Sequence, residues 1–480
     1  MNLSCRFALA LLLILSAVAF AADSPFDLVI TNGHIVDGTG SPWYSGDIGI
    51  RDGHIAAIGN LFAAARKRTV DAKGKVVAPG FVDMLGQSET TILVDPRLPS
   101  KIYQGITTEI TGEGGSAAPL NDAIVANDGP GYEHFKINPD WRTFRQYFAR
   151  LEKQGMGINL ASYVGATQVR RMVLGDADVQ PTSEQLEKMK VLVREAMRDG
   201  AVGVSTSLEY APAPYAKTEE IIALASEASK FGGIYATHMR NESDSVLEAI
   251  DEAVRIGREA RKDMETPSKD WDNEWVEISG PQDVMIGVVQ NPALKNVQGK
   301  RLAEVAKIMN KDPMDALFDI LIEDKAFTEC AVFGMSEPDV VLALQQPWVS
   351  VDNDSSGTSP KGILGEEHPH PRAYGTFPRI LRKYVREEKK LTLEEAIRKF
   401  SALPAQRMRL TDRGVLKQGM WADMVIFDPG TVHDIATFDD PNRLSEGMEY
   451  VLVNGVPVIE NGKMTGALPG KVLRGAGYVP

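Results

Sequence analysis

The chain has 480 residues, 43% of them hydrophobic and 24% charged, enough apolar material for one large buried core and a smaller second one. Its formal net charge of −13, with no run of basic residues, excludes nucleic acid and other polyanions as partners. The balance fits a globular protein acting on a small molecule.

Arg6 precedes an apolar run over residues 7–20, and Ala19-Phe20-Ala21 has the small-x-small form of a signal-peptidase site. Residues 1–22 are therefore expected to be a signal peptide, with the mature chain starting near Ala22 or Asp23 and exported to the periplasm or beyond. The run is too short to span a bilayer comfortably, so no stable membrane anchor is expected after cleavage. Cys5 would leave with the signal, and Cys330 alone can form no intrachain disulfide.

Residues 23–78 carry short alternating runs around Asn32-Gly33 and Asp52-Gly53, both strong hairpin signals. Residues 411–480 repeat this form around Asn454-Gly455 and Asn461-Gly462. Both ends are thus expected to build one small β-sandwich flanking a central domain over 79–410. There, apolar runs at 81–84, 106–111, 158–165, 202–208, 233–238 and 348–354 alternate with helical patterns, the form of parallel β/α units. Thr182 with Gln185, and Thr392 with Glu395, predict capped helices over 184–198 and 394–400. In a barrel of such units the chemistry sits at the C-terminal strand ends.

Several segments together, PGFVDM, QGITTEITGEGGS, GAVGVSTSLEY, GGIYATHMR, HPRAYGTFPR, LPAQR and DRGVLKQGMWADMVIFDP, resemble in sequence and order the N-acyl-D-amino-acid deacylases (D-aminoacylases) of the amidohydrolase superfamily. The resemblance implies an α/β fold, a distorted (β/α)8 TIM-type barrel plus a β-sandwich, with zinc at the strand ends. It implies metal-dependent hydrolysis of the amide joining an acyl group to a D-amino acid. Such chemistry needs a metal to polarise the carbonyl and acidify water, and a carboxylate to move the proton.

Asp354, at the end of WVSVDND, stands where the superfamily places that carboxylate; its other reading is a turn residue between Asn353 and Ser355. His238 in ATHMR matches a family zinc ligand. Of seven histidines, only His238, His368 and His370 fall where a site imidazole is plausible. Glu113 is a candidate ligand beside Gly114, where many members carry a metal-binding Cys; a solvated loop Glu is the alternative. Arg372 is the candidate grip for the substrate carboxylate, with His370 adding a hydrogen bond, and a structural ion pair is the alternative for Arg372.

The chain departs from the family pattern twice. The first barrel strand normally carries Asp-x-His-x-His, and the two ligand positions here hold Leu85 and Gln87. The helix LEAIDEAVRIGREA passes at Ala260 directly into RKDMETPSKDWDNEW, so the sixth and seventh strands, roughly sixty residues of β/α unit, are missing together with a second zinc-binding His. The run at 283–290 is the only strand-like one before Trp348. The barrel is therefore expected to be incomplete and any zinc to occupy a single site. A catalytically inactive binding protein and a cyclic-amide hydrolase are the competing readings.

Overall fold

The computed structural model describes residues 24–241, 245–259, 280–324 and 328–480. The expected signal peptide and the junction after Ala260 lie outside the described residues.

The N-terminal strands are β1 (Leu28–Ile35), β2 (Tyr44–Arg51), β3 (His54–Gly59), β4 (Thr69–Asp71) and β5 (Val76–Pro79). The central region holds β6 (Phe81–Asp83), β7 (Ile106–Thr111), β8 (Asn159–Ser162), β9 (Val164–Gly165), β10 (Gly203–Ser207), β11 (Ile234–His238), β12 (Val284–Val288) and β13 (Glu329–Val332). Toward the C-terminus come β14 (Met424–Phe427), β15 (Met448–Val453), β16 (Val456–Glu460) and β17 (Lys463–Met464).

Strands from both ends form one nine-stranded sheet, in the order β17-β16-β15-β14-β5-β1-β2-β3 with β4 beside β1. Three of the four hairpin signals turn as the residue types demand, with positive φ at both central positions: Asp52-Gly53 joins β2 to β3, Asn454-Gly455 joins β15 to β16, and Asn461-Gly462 joins β16 to β17. Asn32-Gly33 does not turn. It is an irregularity inside β1, where the strand passes from parallel pairing with β4 to parallel pairing with β5. The same left-handed preference that makes a hairpin elsewhere here makes a bulge.

The β-domain is bolted to the barrel by a buried ion pair. Arg413 and Asp423 pair with almost no solvent exposure; Asp423 also accepts from Asn159 Nδ2 at 3.1 Å and from the Asn454 amide at 2.6 Å. Asn159 belongs to β8 and Asn454 follows β15, so one carboxylate holds three segments distant in sequence.

The barrel strands form two parallel ribbons, β6-β7-β8 and β9-β10-β11. The expected strand over 158–165 is real but divided: β8 pairs with β7, β9 pairs with β10, and the chain changes sheet at Tyr163. All residues of β7 and β8 are buried, whereas all five of β11 are only half-buried. The cause is at its outer edge, where among the described residues no strand pairs with it. The helix Val246–Glu259 behind it exposes Leu247, Ile250 and Val254, the i, i+3, i+7 stripe that a following barrel unit would cover.

Two expectations need correction: a strand over 348–354, and 283–290 as the only strand-like run before Trp348, since β13 also precedes it. Residues 348–354 form no regular strand; the segment runs extended beside the first barrel strand, tied to it by a single parallel bridge between Gly86 and Ser355. Among the described residues no other strand pairs with it. The run at 283–290 gives β12, which pairs antiparallel with β13 and packs on its own core of Ile286, Val289, Leu302, Val305 and Ile320. That unit is a separate small layer and does not replace a barrel strand. The capped helices are Ser183–Asp199, with a reciprocal Thr182/Gln185 box, and Leu393–Phe400, capped by Thr392.

Candidate functional site

The C-terminal ends of β10 and β11, the loop after β7, the turn after β6 and the extended segment beside it all open toward one mouth. His238 ends β11, and its Nε2 lies 2.5 Å from Glu209 Oε2 just beyond β10. Its Nδ1 lies 3.5 Å from Glu113 Oε1 on the loop after β7. Two carboxylates on opposite sides of one imidazole make a compact, partly buried set of contacts.

Gly114 explains why that loop carries no larger ligand residue. Its φ is +62°, and a Cβ there would come within 2.5 Å of the Ser207 Cβ, so a cysteine cannot be accommodated without moving β10. Gly86 is similarly constrained: a Cβ would collide with the Glu109 carboxylate. Gly114 thus lets the loop after β7 close on the end of β10, and Gly86 leaves room for the Glu109 carboxylate of β7.

Asp354 meets Arg372 at 2.7 Å through Oδ2, while its Oδ1 accepts from Gln87 Nε2 at 2.9 Å. Arg372 begins the helix Arg372–Arg379. Gln87 thus fills its ligand position with a hydrogen-bond donor to Asp354, whereas Leu85 places only a half-buried apolar side chain at the other. Burial lifts the Asp354 carboxyl above the ordinary carboxylate range; Arg372 pulls it back and Glu113 pushes it up. The Arg372 and Asp354 side chains remain 45% and 33% exposed, so an incoming carboxylate can reach them.

Both C-terminal histidines have structural partners. His370 Nδ1 accepts from the Arg372 amide at 3.0 Å and its ring packs edge-on against Phe438. Desolvation, with Arg372 and Arg379 adding to it, lowers its pKa to about 4, so it stays neutral and keeps this acceptor role. It orients Arg372 through the backbone. His368 Nε2 contacts the Phe438 carbonyl at 2.6 Å, away from the mouth.

Sequence reasoning missed Glu209 and the charged layer beneath the mouth. Glu209 lies in SLEY, two residues past β10, and the strand-end rule applied to that motif would have found it. Beneath, Lys101, Asp83 and Glu109 are fully buried together. No local pattern marks Lys101, because its partners come from other elements.

Two neighbouring acids hold protons unusually well. Glu89 accepts from the Gly112 amide at 2.6 Å, yet burial, with Glu109 nearby, raises it from 4.5 to about 7. Asp352 is raised from 3.8 to about 7 by burial and by Asp83 and Asp354. A carboxyl raised on folding contributes stability that is fully present below its unfolded pKa and is lost as pH rises through the folded value. The melting temperature is therefore expected to fall between pH 5 and pH 8, and Glu89→Gln to flatten that slope. A thermal melt series checks it; an identical slope in the variant removes Glu89 as a cause.

A barrel whose strand ends gather a histidine, several carboxylates and an arginine is the architecture of an amidohydrolase. Residues 364–459 match the family model described as "Amidohydrolase family". The D-aminoacylase of Alcaligenes xylosoxydans xylosoxydans is 35% identical over 493 aligned residues, covering 94% of this chain and 98% of the relative. The crystal structure of N-acyl-D-glutamate deacylase from Bordetella bronchiseptica, complexed with zinc and a phosphonate mimic of the tetrahedral intermediate, superposes with a TM-score of 0.80 at 33% identity, covering 94% of this chain and all of that one. A D-aminoacylase structure described as having a binuclear metal centre, with one-metal activation and second-metal attenuation, has a TM-score of 0.78 at 30% identity over 94% of this chain and all of that one. The chain belongs to the D-aminoacylase family of N-acyl-D-amino-acid deacylases.

The residues present do not by themselves assemble a metal site. Among the described residues no three His, Cys, Asp or Glu side chains converge on a point that could hold an ion. The two nitrogens of His238 face different carboxylates, and both oxygens of Asp354 are engaged by Gln87 and Arg372.

Proposed function

We propose that this protein hydrolyses the amide bond of N-acyl-D-amino acids, giving a carboxylic acid and a free D-amino acid, at a rate lowered by its thinned ligand set. The observation that carries this is the Asp354–Arg372 pair at the mouth, in a chain aligned almost end to end with a D-aminoacylase. Arg372 offers its guanidinium fork to the substrate's α-carboxylate. In taking it, Arg372 leaves Asp354, and losing that cation makes the already raised Asp354 carboxylate a stronger base. Asp354 then accepts the proton of the attacking water and returns it to the leaving amine.

Zinc is the cofactor this reading calls for, at one position only, beside His238. Leu85 and Gln87 bring no imidazole to a second. Purified protein is expected to hold no more than one zinc per chain by elemental analysis, and His238→Ala to hold none. Unchanged zinc in that variant removes His238 from the site. The absence of a converging ligand trio among the described residues favours a second reading, a binding protein for acylated D-amino acids that does not turn them over. Assays with added zinc on N-acetyl-D-methionine, N-acetyl-D-glutamate and a hydantoin separate the readings. A folded protein that binds the acylated amino acids and leaves them intact supports the second, and turnover of the hydantoin alone supports a cyclic-amide hydrolase.

The same reading includes export, on the strength of the apolar run at 7–20 and the Ala19-Phe20-Ala21 motif. No helix among the described residues is long and apolar enough to cross a membrane. N-terminal sequencing of exported protein is expected to begin at Ala22 or Asp23; a chain beginning at Met1 contradicts it.

A further inference from the structure

The layer beneath the mouth is built around one ammonium group. Lys101, on the short helix Pro99–Ile102, has no solvent exposure. Its Nζ donates to Asp83 Oδ2 at 2.7 Å, to Asn353 Oδ1 at 2.9 Å and to the Ser355 carbonyl at 2.7 Å, which uses all three of its hydrogens. Glu109 Oε1 stands 3.2 Å away. Burial alone would push the ammonium's pKa down, but Asp83 and Glu109 hold it above the ordinary lysine value.

The two residues bonded to Lys101 on the extended segment are the immediate neighbours of Asp354. Asp354 itself has φ +42°, a left-handed conformation that non-glycine residues adopt only when their surroundings impose it. Asn353 is held on both sides: its amide donates to Asp83 Oδ1 at 2.9 Å, and its Nδ2 donates to the Arg372 carbonyl at 2.6 Å. One chain of hydrogen bonds thus runs from Lys101 through Asn353 to the backbone of Arg372, and a second runs from Lys101 to the residue after Asp354.

We propose that Lys101 is a positioning residue that sets the backbone of Asp354 and Arg372 together, so that the guanidinium faces the carboxylate across the mouth. Among the described residues no strand pairs with segment 348–354, and the buried cation fixes it from below. The inference rests on the reading of Arg372 as the grip for the substrate carboxylate.

Two variants test it. Asn353→Ala keeps the ammonium with its Asp83 and Ser355 acceptors and the Asn353 amide's bond to Asp83, and removes the side chain that links Lys101 to the Arg372 carbonyl. The triple variant Lys101→Met, Asp83→Asn, Glu109→Gln removes the ammonium while leaving no uncompensated buried charge. The readout is the ratio of dissociation constants, by calorimetry, for N-acetyl-D-methioninamide and N-acetyl-D-methionine. The parent is expected to prefer the free carboxylate by about tenfold or more, the size of a charge-assisted pair. Both variants are expected to lose that preference while still melting cooperatively. A purely structural role weakens both ligands equally, so an unchanged ratio in a folded variant overturns the proposal. If the triple variant does not fold, Asn353→Ala decides. If the parent binds neither ligand, the reading of the site fails, and positioning is judged separately from the 15Nη resonances of Arg372. Slow guanidinium rotation in the parent that becomes fast in Asn353→Ala supports it, and equal rotation in both overturns it.

Discussion

Asp354→Asn is expected to lower kcat for N-acetyl-D-amino-acid hydrolysis by about a hundredfold or more, with little change in melting temperature. The substitution keeps the shape of the side chain and an oxygen for Gln87, and removes the group that exchanges the proton, a role worth roughly 10²–10⁴ in rate. The parent should lose activity on the acid side as Asp354 protonates. That loss should set in at higher pH than for an ordinary aspartate, because burial raises the group and Glu113 opposes its ionisation. Steady-state kinetics across pH provide the check. A kcat within twofold of the parent would mean that the proton is carried elsewhere, with Glu209 and Glu113, the two carboxylates beside His238, the next to examine.

Arg413→Met is expected to produce the largest loss of stability. It leaves the Asp423 carboxylate buried without its cation, at the point where β8, β14 and the end of β15 meet. Removing one member of a buried pair costs about 3–5 kcal/mol. Burial already pushes Asp423 upward and Arg413 is the main force opposing it, so the variant should bind a proton at Asp423 and recover part of the loss at low pH. Chemical denaturation at two pH values measures both effects. A midpoint unchanged from the parent would show that the Asn159 and Asn454 hydrogen bonds hold the joint alone.

Much of the fold could be inferred from local chemistry, and where that failed the cause was a long-range partner. Thr182 and Gln185 form the expected capping box because its geometry depends only on four consecutive residues. Asp52-Gly53 and Asn32-Gly33 carry the same φ preference, but β1 runs on past Asn32-Gly33, antiparallel to β2 on one edge and passing from β4 to β5 in parallel on the other, so its left-handed residue became a bulge. Residues 348–354 have the composition of a strand, and among the described residues no strand pairs with them. β13 escaped notice because ECAV is short and mostly exposed, without the alternation that marks a half-buried strand.

His238 could be placed at the mouth from the sequence because it ends a strand inside a family motif, whereas Asp354 could be placed there from the motif alone, since its segment forms no strand. The Arg372 side chain has a double reading in the structure, since the ion pair it makes with Asp354 was the bland alternative to substrate binding. Lys101 was invisible for a physical reason: a lysine in sequence is presumed solvated, and only Asp83, Glu109 and Asn353, brought in from other elements, make burial tolerable.

The most direct test is the release of free D-amino acid from N-acetyl-D-methionine and N-acetyl-D-glutamate by zinc-supplemented protein, run beside Asp354→Asn and Arg372→Met. Release by the parent that is largely lost in both variants is the expected result. A parent that is folded and zinc-loaded yet releases no D-amino acid, or variants as active as the parent, would contradict the assignment of the mouth as a deacylase site.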